Sequence, residues 1–199
     1  GETIRLLEEL KTAQHETNNH LATAYALLCE DKKEEAKDLL SDLCARPMPE
    51  PDRVNSGNSY VNAVLNQRLQ QARAMGVPYS VDACLSERLP IAPSDLCSLL
   101  GNLLSNALEA SVDAPEPFLS VTVKPVKGYL MINVRNAAGC DVMKENPDLA
   151  TTKHDSDKHG FGIKIIRNIA GKYDGMTDFY MEGSIFTAQA MLKINKLKQ

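Results

Sequence analysis

The run 101–110, GNLLSNALEA, sets two asparagines four residues apart, with an acid three residues after the second. On a helix, Asn102 and Asn106 stand one above the other, and Glu109 joins their face. Leu103, Leu104, Ala107 and Leu108 fill the opposite side. Carboxamides on an otherwise buried helix are costly unless something polar meets them. An amide oxygen is a hard ligand suited to Mg²⁺, an ion commonly held by few protein groups plus substrate phosphates. Two surface asparagines are the plain alternative. Some fifty residues on stands Gly160-Phe161-Gly162-Ile163, directly ahead of a helical pattern with Ile165, Ile166, Ile169 and Ala170 on one face. Glycine lets a backbone approach a phosphate, and a helix amino end presents free N–H groups and a positive dipole end. The preceding run 151–158, TTKHDSDK, is polar and reads as a loop. As a lid it brings Lys153 and Lys158 to a nucleotide's phosphates; otherwise both are solvated lysines.

Together these residues resemble the GHKL ATPase superfamily of gyrase, MutL and histidine kinases. The asparagine helix looks like its N box, and Gly160-Phe161-Gly162-Ile163 like its G2 box. Asn136-Ala137-Ala138-Gly139, after the apolar run 130–134, takes the G1 position. There the family usually has Asp-x-Gly-x-Gly, whose aspartate accepts from the adenine amino group. Here Asn136 replaces the acid, while Ala138 and Cys140 replace the glycines. An asparagine oxygen can still accept that hydrogen bond. Gly183-Ser184-Ile185-Phe186 looks like the family's last glycine turn. The resemblance implies ATP and Mg²⁺ as ligands, with Asn106 on the metal. Asn102 occupies the position of the catalytic base in ATPase members. An amide is no base, so phosphate is expected to go to a histidine rather than to water.

The amino end supplies that histidine. His15-Glu16-Thr17-Asn18-Asn19-His20-Leu21 resembles the His-Asp-x-x-Asn-x-Leu box of Agr-type, peptide-sensing histidine kinases, with Glu16 in place of aspartate. In that reading an unprotonated nitrogen of His15 attacks the γ-phosphorus and Glu16 takes the other ring proton. Asn19, four residues on, holds the ring. His20 is the competing acceptor. A solvated surface histidine is the plain reading of His15.

These groups need scaffolds. Leu7, Leu10, Gln14, Thr17, Leu21, Ala24 and Leu28 recur at spacings of three and four, a coiled-coil-like seam that leaves His15 on its flank. After a turn at 30–33, Ala36, Leu39, Leu40, Leu43 and Cys44 give a second amphipathic helix. The stripe of this hairpin is too large for itself, which predicts a homodimeric four-helix bundle. The proline-rich run 46–51 ends it. A helix at 59–74 capped by Gly76, a strand-like alternation over 77–85, the asparagine helix over 93–110, a hairpin of 119–126 and 129–134, and a closing hairpin of 177–181 and 185–194 complete the chain. The expected class is α+β. Residues 1–50 form the phosphoacceptor hairpin, and 51–199 a two-layer α/β sandwich of the GHKL (Bergerat) type that binds ATP.

Composition agrees with that class. The chain has 199 residues, 43% hydrophobic and 24% charged, and a formal net charge of −4, which argues against nucleic acid as partner. No apolar run reaches the ~18 residues of a membrane span, and no signal peptide is apparent. Cys29, Cys44, Cys84, Cys97 and Cys140 lack zinc or redox spacing and read as reduced thiols of a cytosolic protein. The resemblance implies a cytoplasmic fragment of an integral membrane sensor, and a response-regulator receiver domain as partner. Two other classes compete: a sporulation-type phosphotransferase or scaffold with a degenerate ATP domain, and a serine kinase of anti-sigma type. The intact Asn102/Asn106 and Gly160/Gly162 pairs argue against the first, and the amino-terminal hairpin against the second.

Overall fold

The computed structural model describes residues 2–44, 53–139 and 160–194. The chain divides into two compact units, Gly1–Pro51 and Asp52–Gln199. In the first, α1 (Glu2–Cys29) and α2 (Lys33–Cys44) form a hairpin. The turn passes through Asp31 in the left-handed region, with the Lys32 N–H returning to the Leu27 carbonyl at 2.9 Å. Only Ala24 and Ala36 are buried among the described residues of the pair, because α2 is too short to cover the long helix. Leu7, Leu10, Leu21 and Leu28 stay about half exposed or more, and Leu43 joins them.

The second unit runs α3 (Ser59–Ala74), β1 (Tyr79–Ala83), α4 (Pro93–Val112), β2 (Leu119–Val126), β3 (Tyr129–Ala137), α5 (Gly160–Lys172), β4 (Met176–Glu182) and β5 (Ile185–Lys193). The sheet order is β1-β2-β3-β5-β4. β1 lies parallel to β2, and every other pair is antiparallel. Asn58 caps α3, accepting from the N–H groups of Tyr60 and Val61, and Gly76 at φ 69° closes its far end. Lys127 and Gly128 both take positive φ, the geometry of a two-residue hairpin turn.

The period-two pattern decides which sheet face is covered. Leu119, Val121 and Val123 register against Asn136, Val134 and Ile132, and those against Phe186, Ala188 and Ala190. That face packs with Val61, Leu65 and Leu69 of α3, Leu96, Leu99, Leu100, Leu103 and Leu104 of α4, and Ile166 and Ile169 of α5 in one core. The opposite face carries polar pairs, such as Lys124 to Asp82 at 2.7 Å and Ser80 to Ser120 at 3.1 Å. This is the α+β class with helices over a mixed sheet.

Two details differ from the sequence reading. Ile165 is exposed, since one helical step of about 100° from Ile166 carries it over the rim of the apolar stripe. Strand β3 continues three residues beyond 134, so that Asn136 is part of the ladder rather than of a following loop.

Helices α4 and α5 run antiparallel and are pinned near the carboxyl end of α5. There the Asp95 carboxylate accepts from the Lys172 ammonium and the Tyr173 hydroxyl, both at 2.6 Å, while that hydroxyl accepts from the Ala92 N–H at 2.9 Å. The Lys172 ammonium, then the Tyr173 hydroxyl, hold the Asp95 carboxyl below its usual range. A depressed folded-state pKa stabilises the fold above the unfolded value, and that contribution is lost as pH falls through the folded pKa. The stability gap between wild type and Asp95→Asn should therefore be widest near neutrality and close below about pH 4, as urea titrations across pH would record. Gly175 is a steric requirement: a Cβ there would overlap the Met191 carbonyl outright. Gly175→Ala should cost about 3 kcal/mol or more in chemical denaturation, the upper range for overpacking.

Candidate functional site

α4 owes its polar face to the pattern of its sequence. Leu99, Leu103 and Ala107 turn to the sheet, leaving Asn102 and Asn106 half-buried on the side where α5 begins. The Asn102 amide nitrogen donates to the Ser98 carbonyl one turn back at 2.7 Å. Its oxygen is thereby turned towards α5.

What it meets there is Gly162. A Cβ built on that glycine would lie 3.1 Å from Asn102 Oδ1 and 3.5 Å from both Nδ2 and Oδ1 of Asn106. The two carboxamides converge on one point of the α5 backbone, two residues after the helix starts at Gly160. The first N–H groups of a helix have no intrahelical acceptor and carry the positive end of its dipole. The structure thus brings together hard amide oxygens, which suit a divalent cation, and a helix amino end, which suits a phosphate. Gly162 is buried and Ile163 half-buried. Glu109 is exposed one turn beyond Asn106.

The third contributor is the end of β3. Asn136 is 1% exposed and is the polar member of the inward row, registered between Leu119 and Phe186. Its Nδ2 donates to the Ala137 carbonyl at 2.7 Å, which leaves Oδ1 as the acceptor end. The Ala138 N–H donates to the Ser184 carbonyl at 2.8 Å. A Cβ on Gly139 would come 3.0 Å from the Asp113 carbonyl at the end of α4. The stretch 136–139 therefore has glycine where the chain passes the carboxyl end of α4.

His15, Glu16 and Asn19 lie exposed on α1, as does His20. They belong to the first unit. Lys153, Lys158, the run 151–158 and Cys140 fall outside the described residues, as does the side chain of Phe161. Among the described residues, no group of three or more His, Cys, Asp or Glu is disposed to hold a metal. The Asn62/Asn66 and Asp95/Tyr173 groupings were missed by the sequence reading; the i, i+4 amide pair was the available signal for the first.

The profile of one family, described as the GHKL domain, matches residues 91–193, from just before α4 to the end of β5. This chain belongs to the GHKL-domain family. The matched stretch contains Asn102, Asn106, Asn136 and Gly162. Among curated proteins, the sensor histidine kinase CitA of Klebsiella pneumoniae is 25% identical over 179 residues, covering 84% of this chain and 32% of its own length. The chain spans about a third of that relative. A match over 84% of the chain must enter the first 51 residues, beyond the GHKL portion. Among solved structures, the catalytic domain of histidine kinase ThkA superposes with a TM-score of 0.57 at 17% identity, over 72% of this chain and 97% of that one. A histidine kinase from Burkholderia phymatum gives 0.54 at 12%, over 82% and 81%. The Acinetobacter baumannii histidine kinase AdeS gives 0.51 at 13%, over 92% and 98%. At such identities the likeness is one of GHKL fold.

Proposed function

We propose that this chain is the core of a histidine protein kinase, with residues 51–199 binding Mg-ATP and residues 1–50 carrying the acceptor His15. The observation that carries the nucleotide part is the convergence of Asn102 and Asn106 on the side-chain-free Gly162. The α5 amino end receives phosphate oxygens, and Asn106 Oδ1 ligates the cation. Mg²⁺, held there by Asn106, would supply positive charge that offsets the charge of the phosphates. Asn136 Oδ1 accepts from the adenine amino group. Lys153 and Lys158 clamp the phosphates. Asn102 cannot abstract a proton from water, which suits transfer to protein over hydrolysis.

In the transfer, a lone pair on a His15 ring nitrogen forms the N–P bond as the bond from the γ-phosphorus to the ADP oxygen breaks. Glu16 accepts the proton from the other ring nitrogen, and Asn19 orients the ring. The exposed leucines of α1 support a homodimeric bundle: each is worth roughly 1.5–3 kcal/mol when buried. The CitA relative is named a sensor histidine kinase, which supports the kinase reading; a membrane sensor region and a response-regulator aspartate as the next acceptor complete the proposal. The His15-Glu16-x-x-Asn19-x-Leu21 spacing supports the Agr-type subgroup.

Three measurements test this reading. Titration with ATP should show Mg²⁺-dependent binding that Asn106→Ala loses. Gly162→Val, whose side chain would occupy the space between the asparagines, should weaken binding by roughly ten-fold or more, about 1.4 kcal/mol. An unchanged metal dependence in Asn106→Ala refutes the ligand assignment. Label from γ-labelled ATP should be acid-labile and base-stable, absent in His15→Gln and present in His20→Gln. Sedimentation should give a wild-type dimer and a Leu21→Glu monomer that still binds nucleotide; a wild-type monomer at about micromolar concentration refutes the bundle.

A further inference from the structure

The chain enters the second unit through Val54, Asn55 and Ser56, which belong to no strand. Their backbone is nevertheless paired as if a strand lay alongside. Asn66 of α3 accepts from the Val54 N–H at 2.9 Å and donates to the Val54 carbonyl at 3.1 Å. Asn62, one turn earlier, accepts from the Ser56 N–H and the Ser56 hydroxyl, both at 2.7 Å. Its amide nitrogen donates to Asn55 Oδ1 at 3.3 Å. The match is geometric. Four residues of helix rise about 6 Å, close to the ~6.6 Å repeat of two extended residues. An i, i+4 amide pair therefore offers acceptors at the spacing of an antiparallel strand edge.

The far side of the segment is held as well. The Ser56 carbonyl accepts from the Leu85 N–H at 2.7 Å, just past β1. Gly57 turns at φ 91° where a Cβ would overlap the Leu85 carbonyl. Asn58 caps α3 and also donates to the Glu87 carbonyl at 2.8 Å. Ser56 and Asn58 are 3% and 2% exposed, so their own ends of these bonds are shielded from water. The entry begins within three residues of the boundary between the two units.

We propose that Asn62 and Asn66 are positioning residues for phosphoryl transfer. They clasp the entering chain to α3, whose Val61, Leu65 and Leu69 pack in one core with the leucines of α4, the helix that bears Asn102 and Asn106. The direction of chain entry is thereby fixed relative to the nucleotide site. In-line transfer to a histidine on another unit depends on such alignment, and releasing Val54–Ser56 from α3 would add these residues to the tether and dilute the encounter. None of the clasp bonds involves Asn102, Asn106, Asn136 or Gly162, so nucleotide affinity is independent of them. This inference rests on the histidine-kinase reading above.

The experiment measures, on the full chain, the rate of labelling from γ-labelled ATP at saturation and the Kd of Mg-ATP. Asn66→Ala and Asn62→Ala should slow labelling by roughly ten-fold or more and leave Kd within about two-fold. Asn66→Gln, which keeps both amide functions, should recover part of the rate. If circular dichroism shows that Asn66→Ala does not fold, Asn66→Asp takes its place, keeping the acceptor for the Val54 N–H and losing the donor to the Val54 carbonyl; it should also slow labelling at constant Kd. Full-rate labelling by the folded variants overturns the inference, as does a parallel loss of rate and affinity. Absence of label on wild type overturns the kinase reading, and this inference with it.

Discussion

Between α4 and the start of α5 the backbone at Gly162 comes so close to two carboxamides that a Cβ there would lie 3.1 Å from Asn102 Oδ1, tighter than an ordinary contact. That one close approach fixes where a helix amino end sits relative to two amide oxygens. The contact at the other end of α5, where Tyr173 and Lys172 grip Asp95, makes it a two-point attachment. A helix so placed cannot slide or tilt without breaking the Asp95 bonds or disturbing the close approach at Gly162. Apolar burial supplies the bulk attraction between these helices, yet it is non-directional. Sterics at Gly162 and hydrogen bonds at Asp95 convert it into a defined arrangement.

The first unit follows a different logic. Its two helices meet at Ala24 and Ala36, small residues that allow close approach and contribute little area. Most of the leucine seam remains uncovered. The second unit has the opposite balance, with its described strands and helices packed in a continuous core. One sequence thus joins a unit with a continuous core to one whose apolar stripe stays exposed among the described residues.

Much of this was legible in the residues. Period-two alternation over 119–126 and 129–134, glycine at 76 and 128, and proline at 93 marked the elements of the second unit closely. Asn102 and Asn106 were legible as a polar row because leucines surround them. The limits of that reasoning are visible in α3, where Asn62 and Asn66 repeat the same four-residue spacing. One pair faces a neighbouring helix start, and the other faces a stretch of extended backbone from earlier in the chain. Spacing is a property of the helix; the identity of the facing group is a property of the fold. Ile165 illustrates the same limit, because a helical stripe has edges that only the packed partner defines. The Asp95 grip joins residues nearly eighty positions apart, and no local pattern announces it.

The amide at position 136 has a consequence for how the second unit assembles. It sits in the innermost row of the sheet, walled in by Leu119 and Phe186. A carboxylate there would have to shed its hydration during folding and would favour the protonated form. Asn136 is neutral at every pH, and its own neighbour's carbonyl occupies its nitrogen. The sheet can therefore close over this position without trapping a charge.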